Sequence, residues 1–388
     1  MATGGPGVRP IFSIASWFVV VALTLAALVV GQNFLIPLAV ALIVWYLING
    51  IARGVKRLGF GRVNIPDWLC LTLSVLLIVA FSILVGNLVS NNISAVAESA
   101  PVYEENFQQL MIKVAGWFGL NEVPTVSSLF RSLNLGELLT ALAGSVSIFI
   151  ADAGLVLIYV LFLLFEQTVF DRKLKRFMHS PDREEHVRTA LARITKEIEA
   201  YIWIKTVTSA MTAIISYAVL VMVGVDFAAF WGLLIFLLAY IPTIGSLLGI
   251  VFPALLTLLQ FGELEPFLIV AIPLALTQII IGNVIEPRMM GRSLNLSPLV
   301  VMASLVLWSM LWGVPGAFLC VPITVIFMIV CTYVPTLRPV AVLLSTDGTL
   351  EATPRPPGVA SRAARPSTGP AAHGTSHPPG NNQPTNGS

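Results

Sequence analysis

The chain has 388 residues, of which 56% are hydrophobic and only 11% charged, with a net charge of +2. Soluble domains carry about 25% charged residues, so this balance, with a mean hydropathy of +0.88, excludes an ordinary soluble protein and a fully disordered one. The absence of a glycine period, the three cysteines and the near-neutral charge exclude collagen-like, disulfide-scaffold and nucleic-acid-binding classes.

The apolar residues gather in long charge-free windows: Arg9 to Arg53, Asp67 to Glu98, Lys205 to Asp226, Asp226 to Glu263 and Arg292 to Arg338. A bilayer-spanning helix needs about 20 apolar residues. The fold class is therefore an all-α, polytopic helical membrane protein. Spans are expected at about 11–30, 34–50, 68–90, 143–165 and 206–225, followed by two longer regions, 227–284 and 298–334. The first segment outruns the roughly 7–15 residues of a signal-peptide core and is read as a retained span. Cys70, Cys320 and Cys331 all fall in apolar windows and read as small membrane-core residues.

Loop charge sets the expected orientation. Basic residues cluster at Arg53, Lys56, Arg57 and Arg62, through 166–205, at Arg288 and Arg292, and at Arg338. Segment 91–142 has five glutamates (Glu98, Glu104, Glu105, Glu122, Glu137) against Lys113 and Arg131. Basic loops stay inside, so both termini are expected in the cytoplasm and the Glu-rich segment outside.

The two late regions do not read as simple crossings. Residues 227–260 are broken at Tyr240-Ile241-Pro242-Thr243-Ile244-Gly245-Ser246, leaving halves of about 15 residues, or about 22 Å of helix. A re-entrant hairpin at 227–260 followed by a full span at 266–284 satisfies the parity, as do three short crossings. The last window repeats the design, broken at Trp312-Gly313-Val314-Pro315-Gly316 between two basic ends, and reads as a hairpin whose tip reaches the outside or stops partway. Broken helices at membrane depth need protein or water around their free backbone groups and are the best sequence pointer to a transport site; kinks that serve packing are the plainer alternative.

The expected organisation is three spans over 1–90, an extracytoplasmic amphipathic segment over 91–142, a fourth span at 143–165, a cytoplasmic amphipathic segment over 166–205, a transport core with broken helices over 206–340 and a disordered tail over 341–388. Val187, Leu191, Ile194, Ile198 and Tyr201 recur at steps of four and three, an apolar stripe on a charged helix. It fits a surface helix, a helix packed beneath the bundle or a subunit contact. The tail is rich in Pro, Gly, Ser, Thr and Asn and buries too little surface to order.

No HExxH, no P-loop and no arginine series of a voltage sensor is present. No enzyme activity, cofactor or metal site is expected. Two charges are placed at membrane depth, where they are costly and often functional. Asp152 lies within the fourth span, and Glu286 ends the span 266–284, where Arg288 or Arg292 are its expected partners or a cation its ligand. Both are ion-coupling candidates. Tyr240, Thr243, Ser246, Thr277, Gln278 and Asn283, with the breakers Pro242 and Gly245, are the candidates for a solute path. They suit a polar, mostly uncharged solute, and each alone also suits interhelical hydrogen bonding.

Several motifs converge on one family. Gly282-Asn283-Val284-Ile285-Glu286-Pro287-Arg288-Met289-Met290-Gly291-Arg292, the following Leu296-Ser297-Pro298-Leu299-Val300-Val301, the late Trp312–Gly316 break, Val321-Pro322-Ile323-Thr324, the Tyr240–Ser246 break, and Tyr201 with Lys205 resemble the autoinducer-2 exporter family, in the form of its Tqs transport protein branch. The resemblance covers roughly 10–340; it is specific over 196–335 and weak over 1–140. It implies a bacterial inner-membrane transporter, several relatives being assigned to export of the signal autoinducer-2 and others to sodium–proton antiport. It also implies ring-like oligomers, as pentamers, with an elevator-like movement. Its motifs supply the structural and gating candidates Lys205, Pro287, Arg288, Gly291, Arg292, Gly313, Pro315, Gly316 and Pro322.

The expected function is secondary transport of a small polar solute, autoinducer-2 export first. The alternatives are a sodium (lithium)/proton antiporter and a non-transporting membrane scaffold. Expected partners are the solute, Na+ or H+, membrane lipid and further copies of the chain, with no nucleic acid.

Overall fold

A computed structural model describes residues 8–58, 66–117, 135–178, 181–291 and 295–350. Its regular elements there are helices; the one pairing of extended backbone among these residues is an isolated bridge between Leu296 and Ser345. Among the described residues, seven helices are long and apolar enough to cross a membrane. The all-α polytopic expectation holds.

Helix α1 (Val8–Val30) and helix α2 (Gln32–Leu58) meet at the single residue Gly31. Helix α3 (Asp67–Trp117) has 51 residues, and helices α4 (Leu135–Phe177) and α5 (Pro181–Val223) have 43 each. At 1.5 Å per residue these are about 65–77 Å long, more than twice the hydrocarbon thickness. Here the sequence expectation is corrected. Span 68–90 and the start of segment 91–142 are one helix, and the stripe-bearing segment 183–202 runs unbroken into the fifth span. Hydropathy falls at those points, but the helix backbone continues, in α3 even through Pro101. Residues 118–134 lie outside the described residues.

The break at 240–246 is a hairpin. Helix α6 (Ala228–Leu238) has 11 residues and helix α7 (Ile244–Phe261) has 18, not two equal arms. Its two ends are tied at one level by Gln260, whose side chain accepts from the Asp226 N–H at 2.8 Å and donates to the Gly224 carbonyl at 2.9 Å. The extension of α3 straps the same base: Tyr103 Oη donates to Asp226 Oδ2 at 3.0 Å, and the Asn106 amide donates to the Gln260 carbonyl at 2.7 Å. Burial and the adjacent Asp226 carboxylate push the Tyr103 phenol up to about 12, so the strap stays protonated at any physiological pH.

Helix α8 (Leu264–Ile280) continues through a π-helical turn (Ile281–Ile285) into the short helix α9 (Glu286–Met290). Helix α10 (Pro298–Tyr333) bends at Gly313, where φ is 63° and ψ is −139°. A straight helix of its 36 residues would be about 54 Å long. Yet the Ser297 N–H at its start donates to the Leu344 carbonyl at 3.0 Å. Residues 334–344, which include helix α11 (Arg338–Leu344), reach back at most about 25 Å. Helix α10 therefore doubles back at Gly313, as the sequence break predicts. Its tip is seated by Trp312 Nε1, which donates to the Leu28 carbonyl at the end of α1 at 3.1 Å.

The returning arm of α10 forms the main core. Leu319, Cys320, Val325, Ile329 and Cys331 are buried against Ile198, Tyr201 and Ile202 of α5 and Ile43 and Tyr46 of α2. The three cysteines are free and buried. In lipid such packing rests on close van der Waals contact rather than on expulsion of water. The expected tail starts later than 341: Ala341 is fully buried, and Thr346 pairs with the Asn295 carbonyl at 3.2 Å.

Candidate solute path

The stripe on α5 positions the site. The steps that place Val187, Leu191, Ile194, Ile198 and Tyr201 on one face continue through Lys205, Thr208 and Thr212. This face is half-buried at Val187, Leu191 and Ile194 and buried from Ile198 to Thr212. It is apolar where the helix is surrounded by charge and polar where the helix is surrounded by lipid.

Lys205 is the centre of this face. Its Nζ lies 2.6 Å from Glu286 Oε1, with the two side chains 9% and 19% exposed. It also donates to the Ala239 carbonyl at 3.2 Å. The second contact arises from the hairpin. Helix α6 stops at Leu238, and the last carbonyls of a helix have no partner within it and attract a cation. The first contact arises from the π-helical turn. Its one extra residue rotates the next segment of chain by roughly 100° relative to a regular helix, and Glu286 is the first residue of that segment.

The hairpin tip closes the other wall. Thr243 has φ 55° and ψ −52°, outside the regular regions for a non-glycine residue, a conformation that costs about 1–3 kcal/mol and concentrates at functional sites. Its Oγ1 donates to the Pro242 carbonyl at 2.7 Å, and the Ser246 hydroxyl donates to the Thr243 carbonyl at 2.7 Å. Gly245 is packing, not lining: a Cβ there would sit 1.7 Å from the Leu238 carbonyl oxygen. The tip lies beside Lys205, 18 residues before the end of α5 at Val223 and hence about 27 Å from it.

Between these walls is a cavity of about 490 Å³, within the range of small-molecule sites. Of the expected path residues, Pro242, Thr243, Ser246, Gln278 and Asn283 line it, as do Lys205 and Glu286. Tyr240 does not. It is buried, shares a hydrogen bond with Thr206 Oγ1 at 2.7 Å and stacks on Phe318 at 4.8 Å. Pro287 and Arg288 are on α9, and Gly291 ends it with φ 55°. Gly313, Pro315, Gly316 and Pro322 build the second hairpin. Arg292 lies outside the described residues, and the Asp152 side chain, on α4, does too.

Glu286 pairs with Lys205, not with Arg288. And Asp152 and Glu286 do not exhaust the charges at depth, because Lys205 is buried in the apolar bundle. Lys205 sits at the seam between the charged segment and the fifth span, which hides it from a reading by hydropathy. Thr208, Ser209 and Thr212 also line the cavity and are absent from the expected path; the signal for them is the stripe itself, carried on past Tyr201. Among the described residues, no group of three or more His, Cys, Asp or Glu side chains is placed to hold a metal ion.

Residues 18–336 match the model of the AI-2E family transporter. The chain belongs to the AI-2E transporter family. As a family member it is a multi-pass membrane protein of the transporter class. It is 28% identical to the AI-2 transport protein TqsA of Escherichia coli (strain K12) over 346 residues, 87% of this chain and 98% of that protein. It is 28% identical over 345 residues to a putative transport protein of Borreliella burgdorferi, covering 87% and 92%. It is 37% identical over 187 residues to the putative transport protein YhhT of Escherichia coli (strain K12), covering 48% and 51%. In this AI-2E protein the motifs that carry the resemblance fall on the hairpin tip, the π-helical turn and the second hairpin.

Proposed function

We propose that the protein is a secondary carrier that exports a small polar solute, autoinducer-2, across the inner membrane of a bacterium, with both termini in the cytoplasm. The observation that carries this reading is the cavity between the hairpin tip and the α5 stripe, which brings hydroxyl, amide and charged side chains together among helices apolar enough to cross a membrane. A broken helix presents free backbone groups, and hydroxyl and amide side chains add donors and acceptors. The two charges neutralise each other, which suits an uncharged solute. The likeness to TqsA supplies the choice of autoinducer-2. Copies of the chain would assemble as a pentamer and move the hairpins against the rest of the bundle.

The alternative reading, sodium (or lithium)/proton antiport, is favoured by one observation. The Lys205–Glu286 pair lies on the cavity wall, and a cation could take the place of Lys205. A scaffold without transport has no use for a cavity where hydroxyl, amide and charged side chains meet at a hairpin tip.

Proteoliposomes loaded with autoinducer-2 test both, with and without imposed proton and sodium gradients. Efflux above that of protein-free vesicles is expected, reduced at least tenfold by Asn283→Ala. Proton movement on adding sodium, with no efflux, would replace the exporter by the antiporter.

A further inference from the structure

Two covered hydroxyls of residues that line the cavity are out of place. Tyr201 Oη and Ser209 Oγ are buried, and neither has a hydrogen-bond partner in the protein; the residues are 4% and 1% exposed. Both residues line the cavity. Buried polar groups are almost always paired, and each exception calls for a reason. The neighbours show how such groups are usually satisfied. On the same helix Thr206, Thr208 and Thr212 each donate to the carbonyl four residues back, at 2.7, 3.0 and 2.9 Å. Tyr240, close by, shares its hydrogen bond with Thr206. Ser209 could turn to its own helix in the same way, and it does not.

Their placement is symmetric. Tyr201 is one turn before Lys205 and Ser209 one turn after it, on the face that meets the cavity. They are eight positions apart, about 12 Å along the helix, too far for one small solute to touch both. Between them stands the Lys205–Glu286 pair. On the reading of this cavity as a solute path, we infer that Tyr201 and Ser209 are the specificity-determining hydroxyls of the path, two stations that receive solute hydroxyl groups on either side of the ion pair. The pair sets the second half of the selection. Lys205 is already matched by Glu286 and by the Ala239 carbonyl. A carboxylate or phosphate solute would have to displace Glu286 and strand its charge. The site therefore takes a neutral hydroxylated solute and rejects its anionic counterpart.

This assignment has a signature that a structural role lacks. A hydroxyl kept unpaired for a ligand lowers the stability of the empty protein. Ser209→Ala and Tyr201→Phe are expected to raise the Tm of the solute-free full-length protein in detergent by a few degrees while weakening solute binding. Ribitol, as the neutral probe, is expected to raise the wild-type Tm at millimolar concentration, and ribonate, its carboxylate counterpart, is not. Ribitol affinity should fall at least fivefold in Ser209→Ala and in Tyr201→Phe, and Ser209→Thr, which keeps a hydroxyl, should restore it. Equal stabilisation by ribitol and ribonate, unchanged ribitol affinity in both variants, or no response of the wild type to ribitol overturns the assignment. The two readings fail separately. Autoinducer-2 efflux undiminished in Ser209→Ala and Tyr201→Phe removes the hydroxyl stations and leaves export standing. Hydroxyl-dependent ribitol binding without autoinducer-2 efflux leaves the stations and removes export.

Discussion

Gly245→Ala is expected to lower the stability of the protein by at least about 3 kcal/mol, beyond the usual range for overpacking. The added Cβ would lie 1.7 Å from the carbonyl oxygen of Leu238 and 2.5 Å from its carbonyl carbon. Both are backbone atoms at the end of α6, so no side-chain rotation relieves the contact, and the arms of the hairpin must separate. Separation moves Ala239, whose carbonyl holds Lys205, and Thr243, whose conformation depends on the tip. Binding should therefore be lost together with stability. Gly316 repeats the situation in the second hairpin, with a Cβ position 1.9 Å from the Trp308 carbonyl oxygen. Gly154, on α4, has nothing within 4 Å of its Cβ position, and Gly154→Ala is the control, expected to be neutral or slightly stabilising. Thermal unfolding in detergent separates these outcomes; an unchanged Tm in Gly245→Ala would show that the two arms are not in contact.

Lys205→Met is expected to cost about 3 kcal/mol and to abolish transport. Removing one member of a buried ion pair leaves the other charge uncompensated, at roughly 3–5 kcal/mol. The lower end applies because Glu286 keeps 19% exposure toward the cavity. Glu286→Gln should cost less, since Lys205 retains the Ala239 carbonyl. The double replacement Lys205→Met with Glu286→Gln should recover much of the loss, because no charge is left buried. Unfolding of the two single variants and the double variant forms a thermodynamic cycle. A coupling below about 0.5 kcal/mol would mean that the pair is not formed in the membrane-embedded protein. Recovered stability without recovered transport is the expected split, since the pair both holds the site together and sets its charge selection.

Much of this arrangement is legible in the sequence, for physical reasons. Long charge-free windows mark helices that cross lipid, and Pro242, Gly245, Gly313 and Gly316 mark the two hairpins because they interrupt helices that nothing else would stop. The helix ends are harder to read. Residues 183–225 divide where hydropathy drops, but hydropathy locates the membrane surface and says nothing about whether α5 continues through it. The site is half legible. Pro242, Thr243, Ser246, Gln278, Asn283 and Glu286 stand out because they lie at or near breaks. Ser209 and Thr212 lie in an unbroken helix, and their polarity looks like ordinary interhelical hydrogen bonding. The Lys205–Glu286 pair joins residues 81 positions apart, and its partner choice depends on the π-helical turn, which carries no local sequence mark. Tyr240 is drawn toward the path by its position in the break; its side chain instead turns to Thr206 and Phe318.

On the transport reading, the cavity at the hairpin tip is the route a solute takes. Single cysteines placed by Thr243→Cys, Ser246→Cys and Gln278→Cys, with Cys70, Cys320 and Cys331 replaced, test it in membrane vesicles. A membrane-impermeant thiol reagent should label all three positions, and autoinducer-2 should slow that labelling. Positions that resist the reagent from both faces of the membrane, or that label at the same rate with and without autoinducer-2, would contradict it.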